Sequence, residues 1–169
     1  MRHAPRRPAS PPQIDIEIKS PQWDKQPLAE KAVRDAILAA VAALSTAGGE
    51  VSIVLTDDST IRSLNRDWRG IDSATNVLSF PASGPGRGQD GGLLGDIVIA
   101  YETLERECNE EKRAFIHHLS HLIVHGFLHL IGYDHQDDAQ AEEMEGLESK
   151  IMTRLHMPDP YLARDLGNP

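Results

Sequence analysis

The chain has a single cysteine, Cys108, so no disulfide can form within it, and a reducing compartment is expected. Cys108 lies in the polar run Glu105 to Arg113 and reads as an incidental thiol. Positive charge is also short. Lys and Arg number 17 against 26 Asp and Glu, for a formal charge of −9. That balance excludes a protein that coats nucleic acid by its overall charge, but not an enzyme with a locally basic cleft. No apolar run approaches the ~20 residues of a membrane-spanning helix. The start, Met1 to Pro12, is basic and proline-rich with no apolar core segment, unlike a secretory signal. A soluble cytoplasmic protein is therefore expected. No internal repeat and no linker divides the chain, and 169 residues suit one domain.

Residues 1–13 carry four prolines and three arginines and read as a disordered basic extension. Ile14, Ile16 and Ile18 alternate with charged residues, which predicts a half-buried strand. A helix follows from Leu28 to Ala47, with Leu28, Ala32, Ile37, Val41 and Leu44 on its apolar face and Gly48-Gly49 as its stop. Val51, Ile53 and Leu55 predict a second strand. A short helix capped by Asp57 or Asp58 would carry Ile61, Leu64 and Trp68. Val77 to Phe80 and Leu93 to Ala100 predict two more strands, antiparallel and joined by the glycine-rich loop Ala82 to Gly92. A helical stretch begins near Tyr101, and the main helix runs from about Glu111 to about Ile131. A last helix, capped by Asp137 or Asp138, turns Ala141, Met144, Leu147, Ile151 and Leu155 inward. Residues 158–169 read as a loose tail. The fold class is α/β (α+β): one domain over residues 14–157, with helices packed on a small four-stranded mixed sheet.

The chemistry concentrates in H-G-F-L-H-L-I-G-Y-D-H, His125 to His135. His125 and His129 are four apart, so a helix stacks them on one face. Gly132 can end that helix in the left-handed conformation, and the turn after it can return His135 to the pair. Three neutral imidazoles converging on one point form the ligand set of an open zinc site. The same spacing occurs in metzincin proteases, which carry Glu directly after the first histidine. Here that position is Gly126, so the ligand set fits a metalloprotease and the catalytic base does not. His121 lies one turn before His125 and reads as a partner supporting the ligands. His117 and His118 read as surface or core-edge residues. Asp134 either orients an imidazole or caps the local turn. Asp96 reads as a backbone partner in a bulged strand or a cleft residue. Asn76 and Ser79 read as substrate contacts or as turn-satisfying groups. Arg62, Arg66 and Arg69 recur at helical steps and offer a local basic groove. Spacing alone leaves Arg69 a surface arginine, although a guanidinium suits phosphate.

The histidine motif, together with N-R-D-W-R-G at Asn65 to Gly70, T-N-V-L-S-F-P at Thr75 to Pro81 and L-G-D-I at Leu94 to Ile97, resembles the YbeY family of metal-dependent bacterial endoribonucleases. These blocks stand in the family's order between about Ile14 and Leu155. The resemblance implies one zinc ion on His125, His129 and His135. It implies that Arg69 is a functionally important arginine in the cleft facing the metal, so Arg69 and His125 are the expected catalytic residues, and Arg66 and Asn76, read from their positions, are the expected substrate contacts beside Arg69. It also implies cleavage of single-stranded RNA, formation of the 3′ end of small-subunit ribosomal RNA, and late ribosome quality control. The expected partners are RNA, the small ribosomal subunit and its assembly proteins, with no membrane and no DNA. Two other classes fit the ligand spacing less well: a divergent metalloprotease-like hydrolase, and a non-catalytic zinc-containing assembly factor.

Overall fold

The computed structural model describes residues 11–46, 49–83 and 92–162. The first ten residues, most of the glycine-rich loop and residues 163–169 lie outside the described residues, as do Ala47, the expected end of the first helix, and Gly48. Among the described residues there are four strands: β1 (Gln13–Ile18), β2 (Glu50–Thr56), β3 (Val77–Pro81) and β4 (Leu93–Ala100). They form one mixed sheet in the order β1-β2-β4-β3. β1, β2 and β4 run parallel, and β3 joins β4 antiparallel along one edge. The expected antiparallel pairing of the last two strands is thus present.

Among the described residues, five α-helices surround the sheet: α1 (Ala29–Leu44), α2 (Asp58–Arg69), α3 (Tyr101–Glu111), α4 (Phe115–Leu130) and α5 (Asp138–Arg154). The main core lies between the sheet and α1 and α4. Ile37, Ile53, Ile97, Ile99, Ile123 and Phe127 are fully excluded from solvent there. Each such side chain contributes about 1.5–3 kcal/mol of burial energy. α2 covers the other face over a smaller cluster of Ile61, Leu78, Val98 and Ala100. Helix starts follow their caps: Asp57 accepts from the Thr60 amide and Asp137 from the Gln140 amide.

Several expectations differ from the structure. Helix α1 begins at Ala29, so Leu28 stands outside it and is 61% exposed. The buried face is Ala29, Ala32, Val33, Ala36, Ile37 and Ala40, so Ala32 and Ile37 are buried as expected, and the four alanines suit close packing of α1 on α4. Ser45, in the left-handed conformation at φ 50°, ends α1 before the glycine pair. A one-turn 3₁₀ helix, Pro21–Lys25, buries Trp23, whose indole N–H donates to the Thr56 carbonyl at 2.9 Å. Trp68 falls in the last turn of α2 and is 73% exposed, its ring meeting Phe80 edge-on at 6.2 Å. The long helical stretch is broken at Lys112, left-handed at φ 55°, so α4 begins only at Phe115. Residues 158–162, expected to be loose, are tied down. Pro160 is buried and its carbonyl accepts from Arg113, while the Tyr161 hydroxyl donates to Glu148.

Candidate metal centre

Helix α4 lies across β3 and β4 because Gly126 has no side chain. A Cβ there would come within 2.9 Å of Ser79 Oγ and 3.0 Å of Ile97 Cγ2. Ser79 fills the contact and donates to the Gly126 carbonyl at 3.2 Å. Ser79 is therefore buried packing and not a substrate contact. The same geometry explains the missing glutamate: position 126 faces the sheet, not the histidines.

His125 and His129 project from an adjoining face of α4, one turn apart. The helix then ends in a Schellman motif. The Tyr133 amide bonds the Leu128 carbonyl, and the Gly132 amide bonds the His129 carbonyl, with Gly132 at φ 107°. This turn returns His135 to the pair. One nitrogen from each of the three rings lies within 4.8 Å of the others. His125 and His129 are half-buried and His135 is exposed, so the site is approached from the His135 side.

The hydrogen bonds fix which nitrogens face inward. His129 Nδ1 sits 3.0 Å from the Tyr133 carbonyl, which can only accept, so it carries the proton. His125 Nδ1 sits 2.8 Å from Glu148 Oε1 and likewise donates. Burial holds His129 below the ordinary histidine pKa, with the adjoining His125 adding to the effect, so its Nε2 presents a lone pair. The two Nε2 atoms lie 3.1 Å apart. Two lone pairs at that distance repel unless a cation lies between them. Tetrahedral zinc with zinc–nitrogen bonds of ~2.0–2.1 Å has ligand edges of about 3.3 Å, close to this separation. The residues present therefore fit a divalent cation held by His125, His129 and His135.

Glu148 is the functional residue that sequence reasoning missed. It lies on α5, 23 positions from His125, and its side chain is 1% exposed. Its Oε1 accepts from His121 at 3.0 Å and His125 at 2.8 Å, and its Oε2 accepts from Tyr161 at 2.7 Å. Burial works to raise its pKa, but the bonds from His121 and His125 outweigh it and hold the carboxyl at about 2. An always-ionised acceptor behind a ligand fixes the ring's tautomer and orientation and raises its basicity. His121 supports the site as expected, through Glu148. Asp134 takes the local role: its Oδ1 accepts from the His135 amide. Asp96 is exposed on β4, paired with Ser52 and Phe80 across the sheet. Replacing Glu148 with glutamine is expected to lower cation affinity about 10–100-fold, as measured by competition with a chromogenic chelator. Unchanged affinity would remove Glu148 from the site.

The remaining predicted residues are spread more widely. Asn76 joins a cleft that also contains His125 and His121. Arg69 ends α2 in solvent. The expected three-arginine groove is partly committed elsewhere. Arg62 makes a paired contact with Asp72 at 2.8 and 3.3 Å, and Arg66 bonds Asp67 at 3.0 Å. His118, expected at the surface or core edge, is buried against Glu107 at 3.0 Å. Cys108 is buried, and burial together with Glu107 and Glu111 raises its thiol to about 11, which makes it a poor nucleophile.

Fold and site together define a small mixed α/β protein with three converging imidazoles that could hold a metal ion at the end of its central helix. Residues 13–156 match the family model described as Endoribonuclease YbeY. The chain is 55% identical to a Bradyrhizobium sp. strain BTAi1 protein named Endoribonuclease YbeY, over 94% of this chain and 98% of that one. A Bradyrhizobium diazoefficiens protein of the same name is 52% identical over 90% of this chain and 87% of that one. The chain belongs to the YbeY family. A solution structure from Thermotoga maritima shares the fold at a TM-score of 0.55 and 23% identity, covering 93% of this chain and all of that one. Among the described residues, no helix is long and apolar enough to cross a membrane.

Proposed function

We propose that this protein is a zinc-dependent endoribonuclease that cleaves single-stranded RNA. In this reading it forms the 3′ end of small-subunit ribosomal RNA and takes part in late ribosome quality control. It works in the cytoplasm with the small subunit and its assembly proteins. The working unit is residues 14–157 together with the Pro160–Tyr161 segment, which closes on Glu148. The observation that carries the reading is the convergence of His125, His129 and His135, with two Nδ1 atoms anchored and their Nε2 lone pairs 3.1 Å apart. The relatives' shared name, Endoribonuclease YbeY, supplies the substrate class.

His125, His129 and His135 would hold a divalent cation, which would supply Lewis-acid polarisation of a phosphoryl oxygen. The chain's own groups do the rest. Glu148 and the Tyr133 carbonyl hold the two helical imidazoles in the tautomer that presents Nε2. Glu148 is not the general base, because its oxygens are occupied by His121, His125 and Tyr161 and it is closed to solvent. Arg69 is the substrate-side cation. Its guanidinium neutralises charge that develops on the phosphodiester, and Arg66 and Asn76 contact the RNA beside it.

The test pairs elemental analysis of protein purified without added metal with cleavage of a single-stranded RNA before and after chelation. Stoichiometric zinc and chelator-sensitive cleavage are expected. Arg69→Glu should keep the metal and lose cleavage by about 100-fold or more, the scale of one lost electrostatic contact to a transition state. An Arg69→Glu protein that cuts at the normal rate would remove Arg69 from the mechanism.

A further inference from the structure

Beside the three-imidazole site lies a second feature that cation binding does not use. It is a cleft of about 390 Å³, within the ~300–1,000 Å³ range of small-molecule sites. His125 belongs to both, so whatever fills the cleft is joined to whatever reacts at the cation. The other walls come from Asn76 and the first residue of β3, Val77, from α3 (Glu107), α4 (His118, His121) and the Pro160–Tyr161 segment.

The sign of its charge decides against a phosphate. Glu107, Glu111 and Glu145 line it. Among the described residues of the lining, the one Arg or Lys, Arg113, is held by Glu111 at 2.9 Å and by the Pro160 carbonyl at 3.2 Å. A neutral group rich in N–H donors meets no such repulsion.

Glu107 is built as a fixed acceptor. Its Oε1 accepts from Asn76 Nδ2 at 2.9 Å and lies 3.0 Å from His118 Nε2, and its Oε2 accepts from Asn76 at 3.2 Å. The His118 side chain is only 6% exposed while that of Glu107 is 28% exposed, so a buried ring braces a carboxylate that still reaches the cleft. Burial works to raise its pKa, but the bonds from His118 and Asn76 outweigh it, so it stays ionised at neutral pH. The rings of His121 and Tyr161, 5.5 Å apart and perpendicular, supply flat apolar surface in the same cleft.

We propose that this cleft is a nucleobase pocket. It takes the base next to the scissile phosphodiester, and Glu107 selects bases with an exocyclic amino group over uracil. RNA as the ligand rests on the endoribonuclease reading. A carboxylate accepts from the amino group of cytosine, adenine or guanine. Uracil offers one N–H flanked by two carbonyl oxygens, which meet the carboxylate unfavourably. One good base contact of this kind discriminates by about 5- to 150-fold.

The test uses fluorescein-labelled oligouridines, either unmodified or with one uridine replaced by A, C or G, and the zinc-loaded full-length protein. Binding is read by anisotropy, and cleavage positions by gel. The substituted oligomers should bind at least fivefold tighter, with cuts within one nucleotide of the substitution. In Glu107→Gln the ratio of substituted to unmodified affinity should fall to within about twofold of one. Asn76→Ala, which frees the carboxylate, should shrink the ratio less, and it decides the matter should Glu107→Gln melt early. Equal binding of all four oligomers, or a preference that survives in both variants, would overturn the pocket. Preferential binding without any cleavage would support the pocket and sink the nuclease reading. Cleavage without base preference would do the reverse.

Discussion

Replacing His125 with alanine is expected to abolish both cation binding and RNA cleavage, and to lower the unfolding free energy by about 1–3 kcal/mol. The two losses have different origins. The cation loses a ligand nitrogen, and three-nitrogen sites do not hold zinc with two. The stability loss comes from Glu148, which sits 1% exposed and accepts from His121, His125 and Tyr161. Without His125 a buried carboxylate is left short of one donor. His129→Ala provides the contrast. It removes an equivalent ligand, but its Nδ1 partner is the Tyr133 carbonyl at the helix end, which water can reach once the ring is gone. His129→Ala should therefore lose cation and cleavage at little cost to the metal-free fold. Elemental analysis and urea denaturation of both metal-free variants check this. Equal stability losses would show that Glu148 does not depend on His125. The sign with pH follows. Glu148's folded pKa of about 2 lies below its unfolded value of about 4.3. Its stabilisation is present above that unfolded value and is lost as the pH falls towards 2.

Gly95→Ala is expected to cost about 2–6 kcal/mol, enough to unfold much of the population of a marginally stable domain. Gly95 has φ 145°, outside the range of L side chains, and such strain costs about 1–3 kcal/mol. It lies at the bulge where the β2–β4 register shifts, Glu50 pairing with Leu93 and Val51 with Gly95. A Cβ there would collide with the Phe80 carbonyl and come within 2.8 Å of Leu130 Cδ2. Overpacking of this kind costs a further 1–3 kcal/mol or so. Because Leu130 is next to His129, the collision also pushes on the cation site. Thermal and urea denaturation measure the effect. A loss below about 0.5 kcal/mol would mean that β4 relaxes freely, and the bulge would have no strict need for glycine.

The parts legible in the sequence were those set by local periodicity. Helical spacing places His125 and His129 together, and Gly132 announces the turn that returns His135. Alternation gives β1, and Asp57 and Asp137 mark helix starts. The missed parts depend on contacts between distant segments. Glu148 looks like one more acidic residue of a polar helix, because nothing near it in the chain shows that α5 packs against α4. Tyr161 lies beyond a proline pair and gains its role by meeting Glu148 and His121. Leu28 and Trp68 mislead in the other direction. Each continues an apolar pattern at a helix terminus, where the helix no longer has a neighbour to cover it. Ser79 reads as a polar candidate, yet its hydroxyl is consumed by the close approach that Gly126 permits.

Two of the three imidazoles stand on a buried helix and the third on an exposed loop. An arriving ion therefore finds a ready-made half of its cage and must recruit the other half, so capture should proceed in two kinetic phases. On release, amide protection should vanish first around residues 131–136, while the interior turns of α4 exchange as slowly as before. The loop bearing His135 would thus report occupancy of the centre without the rest of the fold taking part.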